Sequence, residues 1–463
     1  MSKKYWLCLI AFALVGIMAA SPVFAEVTFK WGPYLRVRHE FWRNWSDMTN
    51  GNVSATPTSD NRNFFRIKTS LWGQANVTKS LTLYGKLTNE SRSYTFYHQS
   101  SGDKKKGFHY DVNEVVFDNL YFDVKNFGEM PVDVRVGRQD LIGQYGEGFL
   151  ISDGTPQDGS RTTFFDAIKA SWKINKKNTL DFIYLSDDAT DEKFPVINRL
   201  DGKGLPAGTT GAEQQLNLGD ETGFIAYLKS DPTKKLHLEN YYMYKAEEGG
   251  IGTKLGAKKA SLSTVGTYAK YTLAPWTFKG QLASQFGRYG DEARRAMGGY
   301  GFVTRDFKKA MFSPVLNAGY MYLSGDDRDS STNESWDPLF SRWPIMSDVY
   351  SELYYLTYNN EAGALGYWTN LQLYKIGLSL VPTKKTKLSL AYYILRANET
   401  IAPTSDTFGT GKNRGMLTQA KFDYTFNKNL SAYVMGEYLH AGDFYVASAD
   451  DACFLRTQVE MKF

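Results

Sequence analysis

Cysteine, histidine and long apolar runs are all scarce in this chain of 463 residues, which holds two Cys and five His. Cys8 lies within the first 25 residues and Cys453 stands alone after them. Neither an internal disulfide nor a thiolate metal cluster can therefore form. The histidines, His39, His98, His109, His237 and His440, share no metal-ligand spacing. No apolar run beyond Glu26 reaches the roughly 18 residues that a membrane-crossing helix needs. With a mean hydropathy of −0.41, the chain is also too polar for a bundle of such helices. Its net charge of +5 is small and dispersed, which excludes nucleic acid as a partner. Disorder is excluded too, because 42% of the residues are hydrophobic.

What is present begins with an export signal. Lys3 and Lys4 precede an apolar run over 6–20, and Val23-Phe24-Ala25 ends in a small residue of the kind at which signal peptidase cuts. The expected organisation is a signal peptide over 1–25 and one domain over 26–463. That domain is rich in Tyr, Phe and Gly.

Beyond the signal, the chain breaks into segments of about ten residues with period-two alternation. Over 31–43, Leu35, Val37, His39 and Phe41 share one face, and Tyr34, Arg36, Arg38, Glu40 and Trp42 share the other. Over 64–75, Phe65, Ile67, Thr69 and Leu71 oppose Arg66, Lys68, Ser70 and Gln74. Short turns follow every second segment, at 77–79, 125–131, 175–177, 231–235, 274–275, 308–313, 382–385 and 427–429. Longer connections rich in Gly, Asp, Ser and Asn take the alternate positions, among them 44–61, 93–113, 140–160, 186–220, 246–259, 324–366 and 397–413. Segregating loop length this way points to an all-β fold, a transmembrane antiparallel β-barrel of about 18 strands with short periplasmic turns and long extracellular loops. Such a barrel sits in the outer-membrane lipid of a Gram-negative envelope, with both termini on the periplasmic rim. The last segment, 453–463, ends on the aromatic Phe463, which suits recognition by the barrel assembly machinery. Tyr121, Phe122, Tyr227, Tyr241, Tyr242, Tyr320 and Tyr322 fall near strand ends, where aromatic girdles are expected.

Charge on the inward faces is the most informative pattern. Alternation sends Arg36, Arg38, Arg66, Lys68, Lys86, Arg92, Arg135, Lys169, Lys279, Lys375, Lys421 and Arg456 into the lumen. The inward acids are fewer: Glu40, Glu90, Asp133, Asp181, Glu239, Asp423 and Glu460. A residual positive lining focuses the field on anions, and the planar fork of Arg suits carboxylates. The competing reading is that paired charges simply lock the strands together. Arg138 follows Gly137, where a bulge would switch its side. Gly249-Gly250-Ile251-Gly252 and Gly298-Gly299-Tyr300-Gly301 lack the Lys-Ser/Thr of a phosphate loop and read as loop or kinked-strand glycines. Asp187-Asp188, Asp191-Glu192 and Asp326-Asp327-Arg328-Asp329 read as solvated loops, since Ca²⁺-loop spacing is absent. No Ser/His pairing on neighbouring faces suggests an enzyme, and no cofactor is implied.

Val134-Arg135-Val136-Gly137-Arg138-Gln139-Asp140-Leu141, followed by Phe164-Phe165-Asp166-Ala167-Ile168-Lys169, resembles the alginate export porin family. Gly319-Tyr320-Met321-Tyr322-Leu323-Ser324-Gly325-Asp326 with Asp337-Pro338-Leu339-Phe340, and the Gly442-Asp443-Phe444 ending, are similar to it as well. The resemblance runs from about Trp31 to Phe463. It implies a monomeric 18-stranded barrel whose arginine-lined constriction passes an anionic polyuronate, with Arg135, Arg138 and Lys169 as members of that constriction. Lys169 departs from the family pattern if that position is normally Arg, and Glu40, Asp133 and Glu460 dilute the positive lining. The reading is an outer-membrane porin for anionic solutes, an acidic polysaccharide or a sugar acid, with periplasmic export proteins as partners if the direction is outward. The alternatives are a broad-specificity porin for small solutes and, in another class, a surface adhesin acting through 324–366.

Overall fold

The computed structural model describes residues 27–44, 48, 61–94, 110–111, 115–152, 165–189, 191, 193–197, 219–248, 259–341, 346–350, 369–403 and 408–463. The signal segment, His98, His109, Glu192 and 249–252 lie outside the described residues.

Eighteen strands form the wall. They are β1 (Thr28–Arg43), β2 (Asn61–Asn76), β3 (Leu81–Tyr94), β4 (Val116–Val124), β5 (Val132–Gln139) and β6 (Phe165–Asn175). Next come β7 (Asn178–Asp187), β8 (Glu221–Thr233), β9 (Leu236–Glu248), β10 (Lys259–Leu273), β11 (Trp276–Tyr289) and β12 (Glu292–Asp306). The last are β13 (Val315–Leu323), β14 (Leu371–Thr383), β15 (Thr386–Arg396), β16 (Asn413–Thr425), β17 (Leu430–Ala441) and β18 (Ala452–Lys462). Each pairs antiparallel with its sequence neighbours. β1 then pairs with β18, Arg36 opposite Glu460 and Glu40 opposite Arg456, which closes the barrel. Closure leaves no edge strand, so the paired backbone of the wall satisfies its own hydrogen bonds without water, as a lipid bilayer demands. No described helix is long and apolar enough to cross a membrane; the strands cross instead.

Alternation sorts the side chains as the period-two reading expects. Leu71, Leu282, Met297, Ile376 and Val459 are exposed on the outer surface, where lipid covers them. Of the aromatic residues expected in girdles, Tyr242 and Tyr320 face outward. Tyr121, Tyr227 and Tyr241 instead share the inward face of their strands with Asp123, Lys229 and Glu239, because their parity matches the polar set.

Short turns occupy one rim throughout. The opposite rim carries the long connections, with one exception: Gly290-Asp291 joins β11 and β12 directly, Gly290 taking φ 61°. The glycine string 298–301 lies inside β12 rather than in a loop.

Two long connections do not stay outside. Segment 140–152 after β5 and segment 324–341 after β13 fold into the lumen and join there. Ile151–Ser152 pairs in parallel with Phe340–Ser341, the Phe340 amide donates to the Leu150 carbonyl at 3.0 Å, and the Ser341 hydroxyl donates to the Gly148 carbonyl at 2.6 Å. Tyr145, Phe149, Trp336 and Phe340 are buried in one interior cluster with the inward apolar residues of the wall. Small residues make the room. A Cβ at Gly298 would strike the Trp336 ring, and one at Gly223 would strike the Phe340 ring.

Candidate functional site

The inner loop body is held to the wall by polar pins from β7 to β11. Tyr145 donates to Asp181 at 2.8 Å, the Gly146 amide donates to Glu239 at 2.8 Å, and Lys279 reaches Glu147 at 2.6 Å. The Lys245 ammonium donates to the Leu339 carbonyl at 3.2 Å, while Gln285 both donates to the Asp337 carbonyl and accepts from its amide. A third inward segment, Ser347 to Val349, is caught by Glu437 of β17, which accepts from the Ser347 hydroxyl at 2.7 Å and the Val349 amide at 2.8 Å. Asp140, the first residue after β5, has its carboxyl raised by burial, with the charge of Asp118 adding to the effect.

Across the barrel, β18, β1, β2 and β3 bring a basic cluster to the inner wall. The register sets Arg36 beside Lys68, Arg38 beside Arg66, and Glu40 beside Arg456. Two buried carboxylates bind this cluster together. Glu90 accepts from Arg36 at 2.5 Å and from Arg66 Nε at 2.8 Å. Glu40 accepts from Arg456 at 2.7 Å and lies 3.5 Å from Arg66 Nη1. The loop residue Asp348 meets Arg456 at 2.8 Å, tying the cluster to the segment held by Glu437. Four arginines thus share Glu40, Glu90 and Asp348, and Lys68 stands beside Arg36 without a carboxylate at ion-pair distance among the described residues. Arg66 and Lys68 are nearly covered, whereas the Arg38 side chain is 12% exposed and bonds Gln458.

The remaining inward bases are mostly paired. Lys86 meets Asp118 at 2.5 Å, Lys421 meets Asp423 at 2.7 Å, and Arg135 forms a fork on Asp123 at 2.6 and 2.8 Å while lying 3.9 Å over the Tyr121 ring. Lys169 donates to Gln144 of the inner loop at 2.7 Å, and Lys375 lies over the Phe302 and Tyr393 rings. Among the described residues, Lys68, Lys169 and Lys375 have no carboxylate at ion-pair distance.

Arg138 is elsewhere. Gly137 takes φ 123° yet stays in one-to-one register with Tyr121 and Ala167, so no bulge switches the following side chain. Arg138 pairs with Leu120 and with Asp166, whose neighbours Phe165 and Ala167 point inward. It therefore lies on the outer surface, on a different side of the wall from Arg135. There it forks onto Asp166 at 2.9 and 3.0 Å and onto Asp191 at 3.0 and 3.2 Å, with the Phe194 ring 4.5 Å away. Extracellular residues folded back over the wall leave it 1% exposed. Lys193 ties into the same knot through Asp166 and Asp188, so these loop acids are engaged by bases.

Sequence alternation found the basic wall but not the inner loop body. The pinning residues Tyr145, Glu147, Gln285, Trp336 and Glu437 came without a motif. The one available signal was the pair of inward glycines, Gly223 and Gly298, which removes side chains where the loops must pack.

Comparison with known proteins agrees with this architecture. No curated protein matches the chain in sequence. Among solved structures, OccK8 (OprE) of Pseudomonas aeruginosa matches with a TM-score of 0.53 at 11% identity, over 94% of this chain and 98% of that one. OccK7 (OpdD) of the same organism gives 0.54 at 10%, over 95% and 99%. OccAB1 of Acinetobacter baumannii gives 0.54 at 10%, over 96% and 98%. At such identities these porin-like outer-membrane barrels establish the fold alone. The alginate export family model matches residues 53–454. With that match across the barrel, the chain belongs to the alginate export family.

Proposed function

We propose that this outer-membrane barrel passes anionic solutes, and that its solute is an acidic polysaccharide such as a polyuronate. The observation that carries the reading is the wall of β18, β1, β2 and β3, where, among the described residues, four arginines and Lys68 face Glu40, Glu90 and Asp348. Guanidinium groups held by Glu40 and Glu90 keep a fixed geometry, and the charge acts in a confined lumen whose low-dielectric walls focus its field. Lys169 and Lys375, which have no carboxylate at ion-pair distance among the described residues, extend the positive path toward the inner loop body. The family membership supports a carboxylate-bearing chain as the cargo. No reaction is assigned to the protein. The outward, exposed Phe463 supports recognition by the barrel assembly machinery, and outward passage would draw on periplasmic export proteins.

The test is the reversal potential of the mature protein in a planar bilayer under a KCl gradient, followed by addition of oligouronate. Anion selectivity and current block are expected, both weakened in the double variant Arg38→Gln, Lys169→Gln. Anion selectivity without block would leave a general porin for small anions. Cation selectivity would overturn the reading.

A further inference from the structure

The periplasmic rim carries a charge pattern that the lumen does not use. Its eight short turns hold eleven lysines and two acids, Glu129 and Asp231. Four turns carry adjacent pairs, Lys176-Lys177, Lys234-Lys235, Lys308-Lys309 and Lys384-Lys385. All eleven lysines are exposed. Among the described residues none of them meets a carboxylate at ion-pair distance. Because the turns are short, these charges stand in a fixed circle around the mouth. The opposite rim is mixed instead. Several of its acids are met by bases, as where Lys259 reaches Glu248 at 2.7 Å, Lys193 reaches Asp188 at 3.3 Å and Arg43 lies 3.8 Å from Asp450.

Just inside the basic rim lies a cavity of about 440 Å³, lined by Lys234, Lys235 and Lys270 on the turn side and by Gln144 and Gly146 of the inner loop. Its three acids are each bonded: His237 bonds Asp231 at 2.8 Å and Glu239 at 2.9 Å, and Lys279 meets Glu147 at 2.6 Å. The cavity therefore connects the lysine circle to the loop body that narrows the lumen.

We propose that the periplasmic rim is the loading face for an acidic polysaccharide, captured by the lysine circle and handed to the lumen through this cavity. The inference rests on the anionic-solute reading and adds a side to it. A circle of like charges raises the encounter rate of a polyanion far more than that of a single small anion, because many weak contacts act on one chain. A passive barrel cannot drive transport, but capture at one mouth makes loading one-sided.

The experiment uses the mature protein in a bilayer of zwitterionic lipid, its orientation checked by one-sided protease cleavage of the long loops. Oligouronate is added to either side in about 0.1 M KCl, where charges within about 10 Å still interact. The blocking on-rate is expected to be at least about tenfold faster from the short-turn side. In a variant carrying Lys→Gln at 176, 177, 234, 235, 308 and 309 that advantage is expected to vanish. The variant's unchanged conductance in about 1 M KCl shows that the barrel is intact, since surface charge is screened there. Equal on-rates from both sides, or an advantage that survives in the variant, would overturn the proposal and leave the anion path standing. A side preference seen only with anionic lipid would assign the lysines to headgroups and overturn it as well. Absence of block from both sides would remove the anionic-polymer reading and this proposal with it.

Discussion

One short strand carries an arginine of the lumen and an arginine of the outer surface. Arg135 and Arg138 sit in one short motif, yet three residues along a strand reverse the face, and only Arg135 meets the lumen. Arg138 is a knot between the wall and an extracellular segment, its guanidinium shared by Asp166 and Asp191 with almost no solvent contact. Removing one partner from such a buried set leaves carboxylates uncompensated, typically costing about 3–5 kcal/mol. Arg138→Ala is therefore expected to lower the urea midpoint of unfolding in detergent micelles while leaving the reversal potential unchanged. A shifted reversal potential in that variant would place its charge in the conducting path after all. The motif was legible in the sequence, but its division of labour was not. That depended on Gly137 keeping register at a positive φ, which composition and spacing do not reveal.

Strands and loops were legible to different degrees. The strand faces followed from alternation, because water on one side and lipid on the other impose opposite polarity at every second residue. Tyr121, Tyr227 and Tyr241 escaped that logic, since a tyrosine suits a lipid interface and a polar lumen equally well. The inner loop body escaped it altogether. Its pins are isolated polar contacts scattered over β7 to β17, and no periodicity marks them. Trp336 against Gly298 is one of its tight seats. Gly298→Leu is expected to expel the indole, unfasten Phe340–Ser341 from Ile151–Ser152 and raise single-channel conductance, with a red-shifted Trp emission as the optical sign. Unchanged conductance would mean that the loop body does not narrow the path.

At the scale of the whole barrel, the proposed anion selectivity rests on a small surplus of charge, because most lumen bases are paired. Such a surplus is felt only within a Debye length, about 10 Å in 0.1 M salt and about 3 Å in 1 M. The anion-to-cation permeability ratio is expected to fall toward one between those two salt concentrations. A ratio independent of salt would point to a constriction in direct contact with the ion. The closure of the wall between β1 and β18 was implied by the loop rhythm, because an even number of strands with both termini on one rim can close antiparallel. The meeting of Ile151–Ser152 with Phe340–Ser341 has a different kind of consequence, one of order in time. The two segments are separated by eight strands of wall and by nearly 190 residues, so they can find one another only after the strands between them are in place. Narrowing of the channel is then a late event in biogenesis, and a barrel halted before it would sit in the membrane as an unguarded hole.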